Sequence, residues 1–239
     1  MKNVLITGGC GSLGKVLCKS FKEEGYNVLY TYNETKPNNE LDGCEGFKCD
    51  LSNEEQINNL IRTIYEKYEN IDVLINNAAI EINKDYSFKS KRDFMKTLEV
   101  NLVAPFILCR EIGSRMFMAQ SGKIINISSN NSINKYDPVT VDYDASKTGL
   151  NILTKCTAKE YAPFVTCNAV APGWILTDKI KKLDDDLDNK FVTEESKNIY
   201  LNRFATCEDV TNLVLFLASP KADYINSEII RIDGGSYDR

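Results

Sequence analysis

Seven short runs rich in Val, Ile, Leu and Tyr alternate with longer stretches of helical period along the 239 residues of the chain. That alternation limits the fold more than any other feature. The runs are Asn3–Thr7, Asn27–Tyr32, Gly46–Cys49, Asp72–Asn76, Lys123–Ser128, Val165–Val170 and Glu228–Ile232. Helical segments lie near Ser12–Glu24, Asn53–Tyr68, Lys91–Ala119, Asp142–Tyr161 and Glu208–Ala218. Strands joined by helix-length crossovers run parallel, and right-handed crossovers put helices on both faces of one sheet. The expected fold is therefore α/β, a doubly wound seven-stranded parallel sheet in a single domain over residues 1–239.

The third helical segment carries Phe94, Leu98, Leu102, Phe106, Cys109 and Met116 at steps of about three and four, an apolar stripe for core or subunit packing. Pro105 within it has no N–H for the preceding turn, so a kink is expected near Asn101. The stretch from Trp174 to Tyr200 is the least regular. There Lys179, Lys181 and Lys182 precede Asp184, Asp185, Asp186 and Asp188. Such a run is a solvated face, and its position suits a substrate lid over residues 174–205.

Composition removes several classes of function. With 29 basic against 34 acidic side chains the formal charge is −5. A sequence-independent binder of the phosphate backbone needs clustered Lys and Arg, so no nucleic-acid partner is expected. No run approaches the roughly 18 uninterrupted apolar residues of a membrane span, and no membrane association is expected either. The opening Met-Lys-Asn-Val-Leu-Ile-Thr-Gly is too short in its apolar run for a signal peptide. Eight cysteines form no C-x-x-C pair and the chain has no histidine. Metal ligands are accordingly assigned nowhere, and reduced thiols in the cytoplasm are the simplest reading. Without histidine the Ser-His-Asp and Cys-His systems are also gone, so acid or base chemistry falls to Tyr, Lys, Asp, Glu or Cys.

The first run leads straight into Thr7-Gly8-Gly9-Cys10-Gly11-Ser12-Leu13-Gly14 and then a helix. Glycines let the backbone approach a pyrophosphate, and a helix N-terminus offers free N–H groups and the positive end of a dipole. Further on come Asp50-Leu51 after the third run, Asn76-Asn77-Ala78-Ala79 after the fourth, Asn101, and Ile127-Ser128-Ser129 closing the fifth. Tyr143-Asp144-Ala145-Ser146-Lys147, Asn168-Ala169-Val170-Ala171-Pro172-Gly173 and Asp233-Gly234-Gly235 complete the series. Tyr143 and Lys147, four residues apart, project from nearly the same helix face, where an ammonium favours phenolate. In that order, over essentially the whole chain, the set resembles the single-domain short-chain dehydrogenase/reductase family with its Rossmann sheet.

The resemblance implies an NAD(P)H-dependent carbonyl reductase. In it Tyr143 is the proton donor to a carbonyl oxygen and Lys147 also holds the nicotinamide ribose hydroxyls. Ser129 hydrogen-bonds the substrate oxygen, and Asn101 keeps a water in a proton relay to Lys147. Ser128 competes with Ser129, because the interval from Ser129 to Tyr143 is one residue longer than the family's most frequent spacing. Gly8, Ser12, Leu13 and Gly14 are carried over to the pyrophosphate, Asp50 and Leu51 to the adenine, and Asn77 with Ala78 to the adenosine ribose side. Pro172, Gly173, Ile175 and Thr177 are carried over to the nicotinamide. Two positions depart from the pattern: Gly8, Gly11 and Gly14 follow the spacing of the larger epimerase-type relatives, and Ala79 replaces a glycine.

NADP(H) is favoured as cofactor, with NAD(H) as the alternative. NAD-specific relatives carry Asp eighteen residues after the last loop glycine, and that position is Tyr32, followed by Asn33. Within the family the chain looks most like the 3-oxoacyl-thioester reductases, although the basic residues these use toward carrier protein read here as Gln120-Ser121 and Pro163. The expected partner is a small-molecule or acyl-thioester carbonyl substrate, and a homotetramer is the expected assembly. Alternatives are a non-catalytic dinucleotide-binding protein and an alcohol dehydrogenase or epimerase-type relative. Cys10, at a helix N-terminus, is expected to be biased toward thiolate.

Overall fold

Strands that are apolar on both faces must be covered on both faces, and the central strands of this chain are of that kind. The computed structural model describes residues 1–133, 135–188 and 190–236. In it β1 (Asn3–Ile6), β2 (Asn27–Tyr32), β3 (Glu45–Lys48), β4 (Val73–Asn76), β5 (Gly122–Ile127), β6 (Val165–Pro172) and β7 (Ile229–Ile232) form one sheet in the order β3-β2-β1-β4-β5-β6-β7. Every neighbouring pair is parallel. Val4, Leu5 and Ile6 of β1 sit opposite Val28, Leu29 and Tyr30 on one side and Val73, Leu74 and Ile75 on the other. The fold is the single doubly wound sheet that the alternation of runs predicts.

The helices are α1 (Ser12–Glu23), α2 (Glu54–Lys67), α3 (Lys91–Leu98), α4 (Ala104–Met118), α5 (Val141–Glu160), α6 (Asp178–Asp186), α7 (Phe191–Ser196) and α8 (Cys207–Ala218). On one face Leu17 and Phe21 of α1 pack with Val210, Val214 and Leu217 of α8 against β1 and β5. On the other, Ile57 and Ile64 of α2 meet Leu108 and Ile112 of α4 over Leu5, Leu74 and Ile124. Each fully buried side chain of this size contributes on the order of 1.5–3 kcal/mol. Sequence starts the helices cleanly: Asn53 caps α2, while Ser90 with Asp93 and Thr206 with Asp209 close reciprocal capping boxes on α3 and α8.

Three features differ from the expectation. The segment Lys91–Ala119 is divided by a π-helical turn at Glu99–Val103, and Pro105 sits in the first turn of α4. Pro105 cannot donate to the Asn101 carbonyl, and the chain accommodates this by widening the turn, which is the form the expected kink takes. β6 continues past Val170 to Pro172. Residues 174–205 are more regular than their sequence suggests, holding α6 and α7 over a ring cluster in which Trp174 stacks on Phe204 at 5.7 Å and meets Phe191 edge-on at 5.4 Å. Among the described residues no helix is long and apolar enough to cross a membrane.

Packing so many thiols inside has a consequence for stability. Burial pushes Cys49 and Cys109 up to about 11 and about 12, and holds Cys18 and Cys167 above the usual thiol range. An unfolded thiol ionises near 8.5, so above that pH the unfolded chain has released protons that the folded chain keeps. Stability then falls with rising pH, by up to about 1.4 kcal/mol per pH unit for each such group. Lys147, pushed down to about 7 by burial, acts in the opposite sense. Above pH 7 its unfolded form still binds a proton that the folded form has lost, but it is one group against four. Urea unfolding from pH 7 to 10 should show stability highest near pH 8 and falling steeply beyond 8.5. A midpoint still rising at pH 10 would contradict the burial of these thiols.

Candidate active site

The order of the sheet reverses between β1 and β4, and the crevice of such a reversal lies outside their carboxyl ends. A cleft of about 600 Å³ opens there, lined by the loop after β1, the start of α1 and the ends of β2, β3 and β4. Thr7 fastens its walls together. The Thr7 hydroxyl accepts from the backbone N–H groups of Asn77 at 2.9 Å and Ala78 at 3.0 Å, while Asn77 Nδ2 donates to the Thr7 and Gly8 carbonyls at 2.9 and 3.3 Å. The Gly8 N–H donates to Thr31 Oγ1 of β2 at 3.1 Å.

Two glycines are required by geometry. Gly8 has φ of +69°, and a Cβ on Gly14 would lie 2.2 Å from the Gly8 carbonyl oxygen. No side chain caps the N-terminus of α1 at Gly11, so its first N–H groups and dipole face the cleft, as an anionic pyrophosphate needs. Of the residues carried over for nucleotide binding, Gly8, Ser12, Leu13, Gly14, Tyr32, Asn33, Asp50, Leu51, Asn77 and Ala78 all line this cleft. Glu34 lines it too. Pro172, Gly173, Ile175 and Thr177 do not. Pro172 ends β6 and the others follow it: Gly173 N–H donates to the Ile232 carbonyl at 3.1 Å, Ile175 bridges to Ala205, and the Thr177 hydroxyl caps α6.

Beyond the cleft, α5 brings Tyr143 and Lys147 to one face. Lys147 is 2% exposed, and its Nζ donates to the carbonyl of Ile127 at 2.7 Å, 5.6 Å from the centre of the Tyr143 ring. The Ser129 hydroxyl is the neighbour that acts on the Tyr143 phenol against its burial, favouring the ionised form. Ser128 faces away, toward Asn151 Oδ1 at 2.7 Å, so Ser129 is the serine that meets the phenol. Both amide atoms of Asn101 are engaged: Oδ1 accepts from Ile80 N–H at 2.8 Å, and Nδ2 donates to the Ile80 carbonyl at 2.9 Å and to Ser146 Oγ at 3.1 Å. Ser146 Oγ in turn donates to the Tyr143 carbonyl at 2.7 Å.

The electrostatics depart from the expectation that Lys147 favours phenolate. Burial raises the Tyr143 phenol, with the carboxylate of Glu81 acting in the same direction and the Ser129 hydroxyl against it. Lys147 does not offset this, because burial lowers its own charged form to about 7 and its ammonium is committed to Ile127. Cys10 is corrected as well: its thiol is raised by burial, which outweighs the cation of Lys15, so no bias toward thiolate exists there. Glu81 and Asn131 stand beside these residues and carry no motif, whereas Ser146 lies within the Tyr143–Lys147 motif without a role assigned from it. Glu81 lies 3.6 Å from Lys179 of α6, across the opening.

A family model described as enoyl-(acyl carrier protein) reductase matches residues 9–237. The 3-oxoacyl-[acyl-carrier-protein] reductase FabG of Staphylococcus epidermidis is 32% identical over 246 aligned positions, covering 99% of this chain and 99% of its own length. Among solved structures, ElxO with NADP bound superposes with a TM-score of 0.91 at 29% identity over 98% of both chains. 4-Hydroxyisoleucine dehydrogenase complexed with NADH gives 0.85 at 30%, again over 98% of both. Likeness of this extent, from loop glycines to C-terminal strand, shows that the chain belongs to the short-chain dehydrogenase/reductase family.

Proposed function

We propose that this NAD(P)-dependent oxidoreductase reduces the carbonyl of a 3-oxoacyl thioester or similar small ketone to an alcohol, with Tyr143 as proton donor. One observation carries the reading: a phenol with a serine hydroxyl as its neighbour and a buried lysine one turn away, its Nζ 5.6 Å from the ring centre, beside a glycine-lined crevice. The nicotinamide nucleotide supplies the hydride. Its charge and shape suit the cleft, where the absence of a Cβ on Gly14 lets the glycine loop pack closely on the first turn of α1 and that turn is uncapped.

Carbonyl reduction puts negative charge on the substrate oxygen, and two hydroxyl donors at one point are what such an oxygen requires. A raised phenol serves this direction of reaction, since Tyr143 keeps its proton until an alkoxide forms to take it. Ser129 donates to the same oxygen. Lys147, near neutrality in its proton affinity, can pass a proton at physiological pH and holds the nicotinamide ribose hydroxyls. Asn101 contributes its backbone carbonyl, which Pro105 leaves without the ordinary helical donor, as the seat of a relay water. Its side chain, by contrast, fixes Ile80 and Ser146.

Substrate enters under residues 174–205, where Ser12 Oγ to Asp178 at 3.2 Å and Glu81 to Lys179 join α6 to both walls. The full-length likeness to FabG supports a 3-oxoacyl substrate, while Gln120, Ser121 and Pro163 favour a small thioester over one presented on carrier protein. Exposed Val103 on the π-helical turn, Phe106 on α4 and Ile152 on α5 suit burial in a homotetramer. All eight cysteines are free thiols, which fits the reducing cytoplasm.

NADP(H) is the favoured nucleotide, because Tyr32 and Asn33 stand at the ribose end of the cleft where an Asp would repel a 2′-phosphate. Glu34 lines the same end and limits the preference to about 1–3 kcal/mol, or roughly ten- to a hundredfold. kcat/KM for NADPH should exceed that for NADH by this factor on one substrate. A higher value with NADH would assign Glu34 to the ribose hydroxyls. Tyr143→Phe should lower kcat by far more than tenfold while nucleotide binding persists, measured by NADPH oxidation over a panel of ketones and 3-oxoacyl thioesters. Retention of more than about a tenth of the rate, a loss under ~1.4 kcal/mol, contradicts the role given to the phenol.

A further inference from the structure

The first turn of α5 carries two buried carboxylates that bracket Tyr143. Asp142 is matched by a cation, Lys89 Nζ at 2.6 Å, and by Thr97 Oγ1 at 2.7 Å, which ties α5 to α3 and to the loop after β4. Asp144, 8% exposed, is met differently. Three neutral donors reach it, Asn131 Nδ2 at 2.9 Å, the Asp137 N–H at 2.8 Å and Thr140 Oγ1 at 3.2 Å. A buried carboxylate is tolerated only when its oxygens are satisfied, and here the helix dipole adds to what those donors supply.

All three donors come from residues 131–140, the segment that follows Ser129. Asn131 is the informative one. Its side chain is fastened to Asp144, and its backbone N–H donates to Ser129 Oγ at 3.2 Å. Ser129 Oγ in turn neighbours the Tyr143 phenol and acts on it, and Tyr143 is joined to Asp144 through the chain. The contacts form a closed ring, Tyr143 to Asp144 to Asn131 to Ser129 and back to Tyr143. A serine hydroxyl free of such a ring turns among three staggered positions, of which one faces the phenol.

We propose that Asp144 is a positioning residue whose carboxylate, acting through Asn131, holds the Ser129 hydroxyl against the Tyr143 phenol. The proposal rests on the reading of Ser129 and Tyr143 as the pair that binds and protonates the substrate oxygen. The Asp144 carboxylate also raises the Tyr143 phenol directly, but the share of its effect that passes through Asn131 and Ser129 must vanish when that hydroxyl is gone.

Double-variant kinetics test this, using NADPH and a panel substrate that the unaltered chain reduces. Asp144→Ala and Asn131→Ala should each lower kcat about ten- to a hundredfold, with the KM and the directly measured Kd for NADPH held within about threefold. Introduced into Ser129→Ala, Asn131→Ala should cost less than about twofold more, and Asp144→Ala should cost less than it does alone. Asn131 is only half-buried, so Asn131→Ala decides the matter if Asp144→Ala does not fold. Losses that persist undiminished in the Ser129→Ala background, or that fall on NADPH affinity and melting temperature with kcat intact, would overturn the proposal. Full turnover by Tyr143→Phe and Ser129→Ala would instead remove the reading on which it rests. If those two variants are impaired while Asp144→Ala and Asn131→Ala are fully active, the positioning role alone is refuted.

Discussion

A lysine placed in the interior with one backbone carbonyl as its partner is the constraint around which this structure is arranged. Burial lowers Lys147 from its ordinary range to about 7, which corresponds to a penalty on the order of 5 kcal/mol against its charged form. Such a group is retained only where the surroundings over-determine it. The Ile127 carbonyl can accept from Nζ because β5 ends there, beneath the face of α5 that also carries Tyr143. β5 lies between β4 and β6, so the position of the lysine is inherited from the register of three buried parallel strands.

The same strand ends organise the rest. Where the order of the sheet reverses, Thr7 and Asn77 bind β1 to β4 at the level of the glycine loop, and Thr31 joins β2 to it. Loop geometry thus follows from sheet geometry, and a nucleotide cleft arises without any dedicated domain. On its far side, Asn101 and Ser146 connect the loop after β4 to the backbone of Tyr143. The wall of the cleft and the proton donor we propose are therefore parts of one hydrogen-bonded body. A hydride and a proton delivered to adjacent atoms need that common frame.

What is legible in the sequence divides along physical lines. Strands buried on both faces read as continuous apolar runs, so the sheet and the order of its motifs are apparent from Val4 to Ile232. Ranges at their ends are less so, since Val165 to Pro172 pairs beyond the point where the apolar run breaks. α6 and α7 escape notice because short charged helices without an apolar stripe resemble a solvated loop; their support is the Trp174, Phe191 and Phe204 cluster. Within the site, residue types in a fixed order reveal Tyr143, Lys147 and Ser129. Asn131, Asp144 and Glu81 stay hidden, since their partners are brought close by a turn that no spacing announces. Cys10 shows the opposite error: a helix dipole worth about 0.3–1 kcal/mol was set against desolvation, and burial wins.

The central claim is that hydride reaches a carbonyl carbon whose oxygen is held by Ser129 and protonated by Tyr143. Turnover of a 3-oxoacyl thioester with NADPH deuterated on its reactive face, followed by NMR of the product, tests it most directly. The account predicts one deuterium on the carbon that bears the new hydroxyl group, with the label absent in the Tyr143→Phe reaction run for the same time. Deuterium on a carbon without oxygen, as reduction of a carbon-carbon double bond would leave it, or unlabelled alcohol, would contradict it.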